Sequence, residues 1–435
     1  MMKKLIYLYF LLFISCQALA QSPVNQLYQE ALQAHKNQDY NTYLNKVLEI
    51  EQLLPNRPAV IYRLASAYAL TGNQKLAISN LKKLIWLRPD PKLADDEDFA
   101  SIKHKGKFKK VIQHMQEMLK PINESAKAFE LPELDFHPEG LAYDPATASF
   151  YCSSIRKQKI IKIDRNGVVS EFIPSGQDSL MSVSGMQIDP IHRVLWVCTG
   201  AIPNMEGFSK NQEGQTAIFK YDLTEGKLLK KYTLPKDEKV HYLGDLILHP
   251  QTNAVFTTDS YSSTIYTINP QTDQLEKYFS DSRWTSLQGL AFSDDGNYLF
   301  VADYRTNVYR LDTQSKNIRT LNTPQPVLLV GVDGLYFYKN SLIAIHNGIT
   351  PFRVVEYILD DQLEVVKKYD ILEHATPELN EPTLGVFCGD EFYYVANSPW
   401  GAYDRKGNLL QDKLKKGLIM KIRPWETGES LQKAK

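Results

Sequence analysis

A short apolar motif recurs six times between residues 140 and 390, and this repeat constrains the fold more than any other feature of the chain. Most copies start with Gly and continue with apolar residues towards a turn, as in GLAYDP, GMQIDP and GLAFSD. The copies begin at Gly140, Gly185, Asp245, Gly289, Gly334 and Gly385, in steps of 45, 60, 44, 45 and 51 residues. A second apolar strand follows each copy, and often a third. Units of this size and spacing predict a six-bladed β-propeller.

The end of the last repeat predicts how the ring closes. Its final strand, GLIMKIR, runs into a polar tail, so the sixth blade lacks an outer strand of its own. An incomplete blade would expose the edge of its sheet. Residues 126–134, just before the first repeat, are expected to supply the missing strand. The propeller is therefore predicted over residues 125–425, with the tail at residues 426–435.

Residues 21–120 have helical periodicity instead of strand periodicity. In residues 58–89, apolar and small side chains recur at the spacing of two antiparallel helices, and residues 24–57 form a preceding unit of similar length. The pattern resembles tetratricopeptide repeats, and the segment containing Phe99 and Phe108 resembles the cap that ends such arrays. Two repeats and a cap are short for independent stability, so we expect this module to pack against the propeller.

The first twenty residues have the pattern of a signal peptide. Lys3 and Lys4 precede an apolar run at residues 5–14, which is too short to span a bilayer. The triplet ending at Ala20 fits a small-x-small cleavage site, so the mature chain is expected to start at Gln21. The alternative is a lipoprotein signal in which Cys16 is lipidated. Both alternatives predict export, to the periplasm or beyond, with no transmembrane segment in the mature chain.

The overall charge excludes one class of partner. The 50 Lys and Arg residues balance 50 Asp and Glu residues, so no global basic field exists to hold nucleic acid. After the signal, Cys152, Cys198 and Cys388 remain, each within an apolar strand-like run, and we expect three buried free thiols without a bridge. The sequence contains no phosphate-binding glycine loop, zinc-type Cys/His spacing or G-x-S-x-G motif.

Polar residues recur at one end of the predicted blades. The first strand of a blade lines the channel and the second runs antiparallel to it, so the start of one and the end of the other share a face. The residues before the repeats are Glu139, Ser184, Gly244, Gln288, Asp333 and Leu384. Those near the ends of the second strands are Ser153, Ser154, Thr199, Asp259, Asp303, His346, Asn347 and Asn397. One channel mouth is therefore expected to carry many oxygen ligands, which suit hard cations such as Ca²⁺.

Three segments, PEGLAYDP, LQGLAFSDDGNYLFVAD and VDGLYF, resemble the regucalcin/gluconolactonase family of six-bladed propellers. The resemblance covers the predicted propeller and implies one divalent metal ion held by Glu139, Gln288 and Asp333. Gln288 departs from the family pattern, which has Asn there, and places its amide oxygen one methylene further out. Gly244 stands where the family usually has an Asn that contacts substrate, and no Arg adjoins it.

The resemblance also implies a reaction, the hydrolysis of a small lactone, sugar acid or ester. A divalent cation would polarise the carbonyl group and activate water. Ca²⁺ is the main candidate, and Zn²⁺ and Mn²⁺ are the alternatives. Asp333 is the candidate general base as well as a metal ligand, and His241 and His346 are secondary proton carriers. The candidate substrate-binding residues are Asp245, Asn347, Asn397 and Asp303.

Several of these candidates have a structural interpretation as well. Asp259 and Asp303 stand at strand ends, where carboxylates commonly accept hydrogen bonds from turn amides. His241 and His346 are also compatible with buried histidines whose ring nitrogens are satisfied by the surrounding structure. These alternatives stay open at the level of sequence.

A different class of function is also compatible with the sequence. Propellers and helical repeats both serve as binding platforms, so the protein could be a non-catalytic scaffold whose helical module recognises a protein or peptide. Gln288 and the missing Arg favour this alternative. Under either function, Trp400 is interpreted as a packing or loop-closure residue in preference to a ligand-stacking one. The Lys-rich residues 103–110 are interpreted as a solvated helix face in preference to an anion site.

Overall fold

The structure, a computed structural model, describes residues 23–234, 237–404 and 407–424. The predicted signal peptide, its cleavage site, Cys16 and the polar tail at residues 426–435 lie outside the described residues. Across the described ranges, no helix is both long enough and apolar enough to cross a membrane.

Five α-helices form the N-terminal region. They are α1 (Pro23–Lys36), α2 (Tyr40–Leu53), α3 (Pro58–Leu70), α4 (Gln74–Leu87) and α5 (Gly106–Met118). The Asp39 side chain caps α2 by accepting a hydrogen bond from the Thr42 amide, and Asn73 caps α4 through the Leu76 amide. Pro58 occupies the first turn of α3, where its missing N–H costs no helical hydrogen bond. The predicted N-terminal helical region is confirmed.

The rest of the described chain is built of antiparallel β-sheets. The strands are β1 (Ile122–Asn123), β2 (Ala126–Glu130), β3 (Pro138–Asp144), β4 (Ser149–Ser154), β5 (Ile160–Ile163), β6 (Val169–Ile173), β7 (Ser182–Asp189), β8 (Val194–Gly200), β9 (Thr216–Asp222), β10 (Leu228–Thr233), β11 (Leu243–Leu248), β12 (Val255–Asp259), β13 (Thr264–Asn269), β14 (Gln274–Ser280), β15 (Leu287–Phe292), β16 (Tyr298–Asp303), β17 (Asn307–Asp312), β18 (Ile318–Thr320), β19 (Val332–Tyr338), β20 (Ser341–His346), β21 (Arg353–Leu359), β22 (Val366–His374), β23 (Gly385–Cys388), β24 (Glu391–Asn397) and β25 (Leu418–Ile422). They form six sheets, and each of the six repeat positions lies in the inner strand of one sheet. The predicted six-bladed propeller is confirmed.

The ring closes through a strand from before the first repeat. β2 pairs antiparallel with β25, with Ala126 opposite Lys421 and Glu130 opposite Leu418. It thereby becomes the outer strand of the sixth blade, in the order β2-β25-β24-β23, as the sequence predicts. The short strand β1 pairs with β22 at the outer edge of the fifth blade. The chain entering the propeller is therefore hydrogen-bonded to its last two blades.

A β-bulge lies at the same place in five of the inner strands. The pairing register shifts in β3, β7, β11, β15 and β19, each time across the residue before the repeat position and the repeat residue itself. Bulges of this kind redirect a side chain away from its regular alternation. The repeat glycines also meet the neighbouring blade: a Cβ on Gly289 would lie 2.5 Å from the Asp333 carbonyl oxygen and 2.6 Å from the Leu335 nitrogen. The repeat glycine is therefore required by the close approach of adjacent inner strands.

Gly289→Ala is expected to lower the free energy of unfolding by about 1–3 kcal/mol, because the added methyl group must displace the backbone of the next blade. Urea unfolding measures this change. The matched control is Gly106→Ala at the start of α5, where an added Cβ meets nothing within 4 Å. Equal stability of the two variants would show that the blades do not pack as closely as described.

The helical region packs against the propeller through the C-terminal end of α4. Trp86 is fully buried, and its indole N–H donates a 2.9 Å hydrogen bond to the Leu328 carbonyl oxygen. The guanidinium group of Arg353, at the start of β21, lies 4.6 Å from the Trp86 ring centre and donates to the Trp86 carbonyl oxygen. The Thr350 amide donates to the Leu87 carbonyl oxygen. These contacts confirm the expected packing of the helical module on the propeller.

The three described cysteines are free, as predicted. Cys152 and Cys198 are fully buried, whereas Cys388 is half-buried. Burial raises the pKa of the Cys152 and Cys198 thiols far above the ordinary range, so neither is a nucleophile at neutral pH.

Candidate functional site

A cavity of about 320 Å³ opens where the bulged inner strands meet. Its lining combines carboxylates, amides, hydroxyls and aromatic rings. Four carboxylates line it, from Glu139, Asp245, Asp333 and Glu381. No Lys, Arg or His belongs to the described lining, so no positively charged side chain neutralises these acids there. A small molecule fits a volume of this size.

The fold brings together most of the residues that the sequence predicts for the site. Glu139, Gln288 and Asp333, the predicted metal ligands, all line the cavity although they come from blades one, four and five. The predicted substrate-binding residues Asp245 and Asn347 line it too. Apart from Asn347, these residues lie at the β-bulges of inner strands, which explains how one position in each repeat reaches a common space.

Hydrogen bonds hold two of the carboxylates in place. The Asn347 amide donates to Asp333 Oδ2 at 2.6 Å and to the Pro382 carbonyl oxygen at 2.9 Å. The Tyr304 hydroxyl donates to Asn347 Oδ1 at 2.8 Å, and these contacts define which end of the amide faces Asp333. On the other side, the Trp400 indole N–H donates to Glu139 Oε2 at 3.0 Å. Trp400 therefore orients a site carboxylate, in contrast to the packing role expected for it.

The electrostatics of the cavity favour protons or cations. Burial raises the pKa of Glu139 well above its ordinary value, and the nearby charges of Asp333, Glu381 and Asp245 raise it further. Burial also raises the pKa of Asp245 to about 7, with a smaller contribution from Asp333. Burial raises the pKa of Asp333 to about 6, although the hydrogen bond from Asn347 acts in the opposite direction. These carboxylates therefore hold protons more readily than usual, and no basic side chain of the described lining balances their charge when they ionise.

Asp245→Asn is expected to stabilise the metal-free protein by an amount that grows with pH. The folded-state pKa of Asp245 lies above its unfolded value, so folding favours the protonated form and the wild type loses stability as pH rises from about 4 to about 7. The Asn side chain does not ionise and avoids this loss.

Thermal unfolding in the presence of a chelator checks this prediction. The difference between the two proteins should be smallest near pH 4 and level off above about pH 7. The comparison with wild type is essential because burial lowers the pKa of His346, which changes stability in the opposite direction. Asp294→Asn, at an exposed position outside the cavity, is the matched control and should show no such trend. A pH-independent difference for Asp245→Asn would contradict the prediction.

The predicted metal ligands form a set of oxygen donors, the kind of donor that a divalent cation such as Ca²⁺ requires. Across the described residues, no group of three or more His, Cys, Asp and Glu side chains could hold a metal ion. The predicted set differs in kind, since it combines the carboxylates of Glu139 and Asp333 with the amide of Gln288. Its donors are hard oxygens, and no basic side chain of the described lining balances the acids, so the chemistry of the set suits a hard divalent cation.

The two predicted histidines do not line the cavity. His346 is fully buried, with its ring nitrogens bonded to the Val330 carbonyl oxygen and the Tyr357 hydroxyl, and burial lowers its pKa to about 3. His241 lies between two carboxylates, with its Nδ1 atom 2.5 Å from Asp259 Oδ2 and its Nε2 atom 2.9 Å from Asp237 Oδ1. Burial lowers the pKa of His241, but the hydrogen bonds to both carboxylates outweigh burial and raise it. These contacts correspond to the structural interpretation of both residues.

Asp303 and Asn397, predicted to bind substrate, also lie outside the cavity lining. The buried Asp303 carboxylate accepts hydrogen bonds from four backbone amides, including those of Ser286 and Thr306. Asn397 bonds to the Leu418 amide and the Lys416 carbonyl oxygen and joins two strands. Both side chains support local backbone structure because a strand end offers many unpaired amides.

Sequence reasoning missed several residues of the cavity. Glu381 lies on the loop before β23, outside the repeat pattern, and its pKa is raised by burial. Ser260 and Tyr261 follow β12, and the Tyr261 side chain is 60% exposed at the rim. The Ser260 hydroxyl is buried and finds no hydrogen-bond partner within the described part of the chain. The one available signal was position, because both residues directly follow Asp259 at the end of a second strand.

Comparison with known proteins finds likeness in structure but not in sequence. No protein-family model matches it, and no curated protein matches it in sequence. In structure it is similar to a gluconolactonase of Xanthomonas campestris, at 15% identity and a TM-score of 0.46, covering 70% of this chain and 96% of that one. It is also similar to regucalcin, a calcium-binding protein of Agrobacterium tumefaciens, at 15% identity and a TM-score of 0.48, covering 68% and 93%. Likeness at this level carries no argument about activity, so the function proposed below rests on the site itself.

Proposed function

We propose that this protein is a divalent-metal-dependent hydrolase that acts on a small uncharged lactone or ester at the channel mouth. The observation that carries the proposal is a cavity lined by four carboxylates and, within the described residues, by no basic side chain. Such a cavity attracts a cation and offers an anionic substrate, such as a sugar acid, no counter-charge. A neutral substrate with a polarisable carbonyl group satisfies both conditions.

Glu139, Gln288 and Asp333 are the residues that would hold the cation. Their oxygens favour Ca²⁺ over softer metals, with Mn²⁺ and Zn²⁺ as alternatives. When bound, a divalent cation polarises a carbonyl oxygen and lowers the pKa of nearby water. Asn347 and Trp400 orient the Asp333 and Glu139 carboxylates through the hydrogen bonds described above.

Asp245 is the side chain proposed to move the proton. A positive charge beside Glu139 and Asp333 would keep both carboxylates ionised, which leaves Asp245 as a proton acceptor on the cavity wall. Burial is the main cause of the raised pKa of Asp245, and it makes this carboxylate basic enough to take a proton from the attacking water and return it to the departing oxygen. The unpartnered Ser260 hydroxyl is available to position a polar group of the substrate.

The proposal is tested with the purified protein after chelator treatment. Calorimetry with Ca²⁺, Mn²⁺ and Zn²⁺ measures cation binding, and a panel of uncharged lactones and esters, paired with carboxylate-bearing analogues, measures turnover. We expect cation-dependent hydrolysis of uncharged substrates and little of the anionic analogues. Cation binding without turnover of any substrate would contradict the enzymatic proposal but not the metal site.

A non-catalytic binding protein is the second candidate. It is favoured by Gln288, whose side-chain amide nitrogen makes, among the described residues, a single long 3.5 Å contact with the Ser286 hydroxyl. This side chain is therefore loosely held for a metal ligand. Absence of both cation binding and turnover would support this candidate.

We further propose that the helical region is a pair of tetratricopeptide-like repeats and that the protein is exported. The equal spacing of α1–α2 and α3–α4, whose first helices start at Pro23 and Pro58, supports the repeat. The signal-peptide pattern supports export. N-terminal sequencing of the protein recovered from the producing cells should find Gln21 first, and an intact Met1 would contradict cleavage.

A further inference from the structure

A groove of about 870 Å³ lies between α4 and α5, on the helical region and apart from the channel cavity. Its polar lining includes five lysines and one histidine. These basic residues are Lys75, Lys82, Lys105, Lys107, Lys110 and His114. The remaining lining is neutral, and no Asp or Glu lines the groove in the described chain. The groove is therefore the opposite of the channel cavity in charge.

Helical geometry explains why the lysines face each other. On α4, Lys75, Ile78 and Lys82 follow the i, i+3, i+7 spacing of one helix face. On α5, Lys107, Lys110 and His114 follow the same spacing. Two stripes of like charge thus run along the two walls of one groove, although like charges at close quarters repel.

No carboxylate of the described chain neutralises these walls. None of the five lysines takes part in an ion pair there, whereas the neighbouring Lys103 pairs with Glu97 and other exposed lysines, such as Lys46 and Lys120, also have acidic partners. The side chains of the five lysines are exposed, so their charges are available to a partner. The buried side chains of Ile102 and Val111 form the apolar floor between the walls.

We propose that this groove binds an acidic peptide segment of a partner protein, with its carboxylates along the two lysine stripes. A concave groove between two helices admits a single extended or helical chain but not the flat surface of a membrane. The described lining contains no Arg for bidentate phosphate contacts and no Phe, Tyr or Trp for base stacking, both of which single-stranded nucleic acids favour. The aliphatic stems of the lysines can pack against the peptide while their ammonium groups reach its carboxylates.

The test measures binding of a fluorescein-labelled twelve-residue peptide of alternating Glu and Leu to the purified full chain by fluorescence anisotropy. Lys82→Glu with Lys110→Glu reverses one charge on each wall and is expected to weaken binding by about tenfold or more. The matched control is Lys227→Glu with Lys277→Glu, which makes the same charge change at exposed positions of the propeller. This control is expected to bind as the wild type does.

Further measurements separate the alternatives. Lys82→Gln with Lys110→Gln removes the two charges without reversing them, so it should weaken peptide binding less than the double Glu variant. An intermediate affinity would show that the loss in the double Glu variant does not come from misfolding. A photo-crosslinker in the peptide should attach to α4 or α5. No binding at low salt, equal weakening by the control pair, or crosslinks confined to the propeller would overturn the proposal. Tighter groove-dependent binding of a single-stranded RNA or of anionic phospholipid vesicles would overturn it as well.

Discussion

Asp333→Asn is expected to abolish divalent-cation binding and to lower the proposed hydrolysis by about 10²–10⁴-fold. The substitution keeps the shape of the side chain and one oxygen that can accept the hydrogen bond from Asn347. It removes a negative charge from a cavity that has no basic side chain in its described lining. Isothermal titration with Ca²⁺ and turnover of the best uncharged substrate measure the two effects.

The same substitution should make the metal-free protein more stable. The charge of Asp333 raises the pKa of Glu139, so the two carboxylates repel each other when both are ionised. We expect a higher unfolding temperature for Asp333→Asn than for wild type in a chelator, and no further increase with added Ca²⁺. Asp294→Asn is the exposed control for both measurements. Wild-type cation affinity in Asp333→Asn would remove Asp333 from the metal site.

Trp86→Ala is expected to lower the free energy of unfolding by about 3–5 kcal/mol. The substitution empties a fully buried space between the helical region and the propeller and leaves the Leu328 carbonyl oxygen without its donor. It also removes the ring over Arg353, a fully buried cation whose pKa burial lowers to about 10. Denaturant unfolding followed by circular dichroism measures the loss.

Two control variants distinguish a stability loss at the interface with the propeller from a loss within helix α4 itself. Leu76→Ala lies on the same helix at a side chain that is 39% exposed, and it should change stability little. Trp86→Phe keeps an aromatic ring but loses the hydrogen bond to Leu328, so its stability should fall between wild type and Trp86→Ala. A stability loss in Leu76→Ala as large as in Trp86→Ala would show that the effect belongs to the helix and not to the interface.

Much of the fold could be predicted because the repeated sequence reflects the same packing requirements in every blade. Glycine recurs where adjacent inner strands approach too closely for a side chain, as at Gly289. Apolar runs recur because each sheet is buried between its neighbours, as in the fully buried strands β4 and β8. The closing strand was predictable as well, since the sixth blade had no outer strand of its own and residues 126–134 were the unassigned segment before the first repeat, of which residues 126–130 form the strand.

The candidate site was predictable only where it follows the repeat. Glu139, Gln288 and Asp333 occupy one position in three blades, so symmetry alone places them near one axis. Glu381 lies on a loop outside the repeat, and no local pattern separates it from an exposed loop acid. Strand ends were a weaker guide still, because Asp303 and His346 share one blade position and both bond to local groups, whereas Asn347, one residue further on, lies in the cavity.

The amino-acid sequence by itself determined the number of blades, the helical region before them and the ring of polar positions at one mouth, because these follow from periodicity along the chain. Only the tertiary structure decided which polar side chains line one cavity and which accept hydrogen bonds from backbone amides. That outcome depends on loops such as the one carrying Glu381. It also depends on contacts between residues that are far apart in the chain. Burial in these contacts raises the pKa values of Asp245 and Asp333, which makes both residues candidates for chemistry.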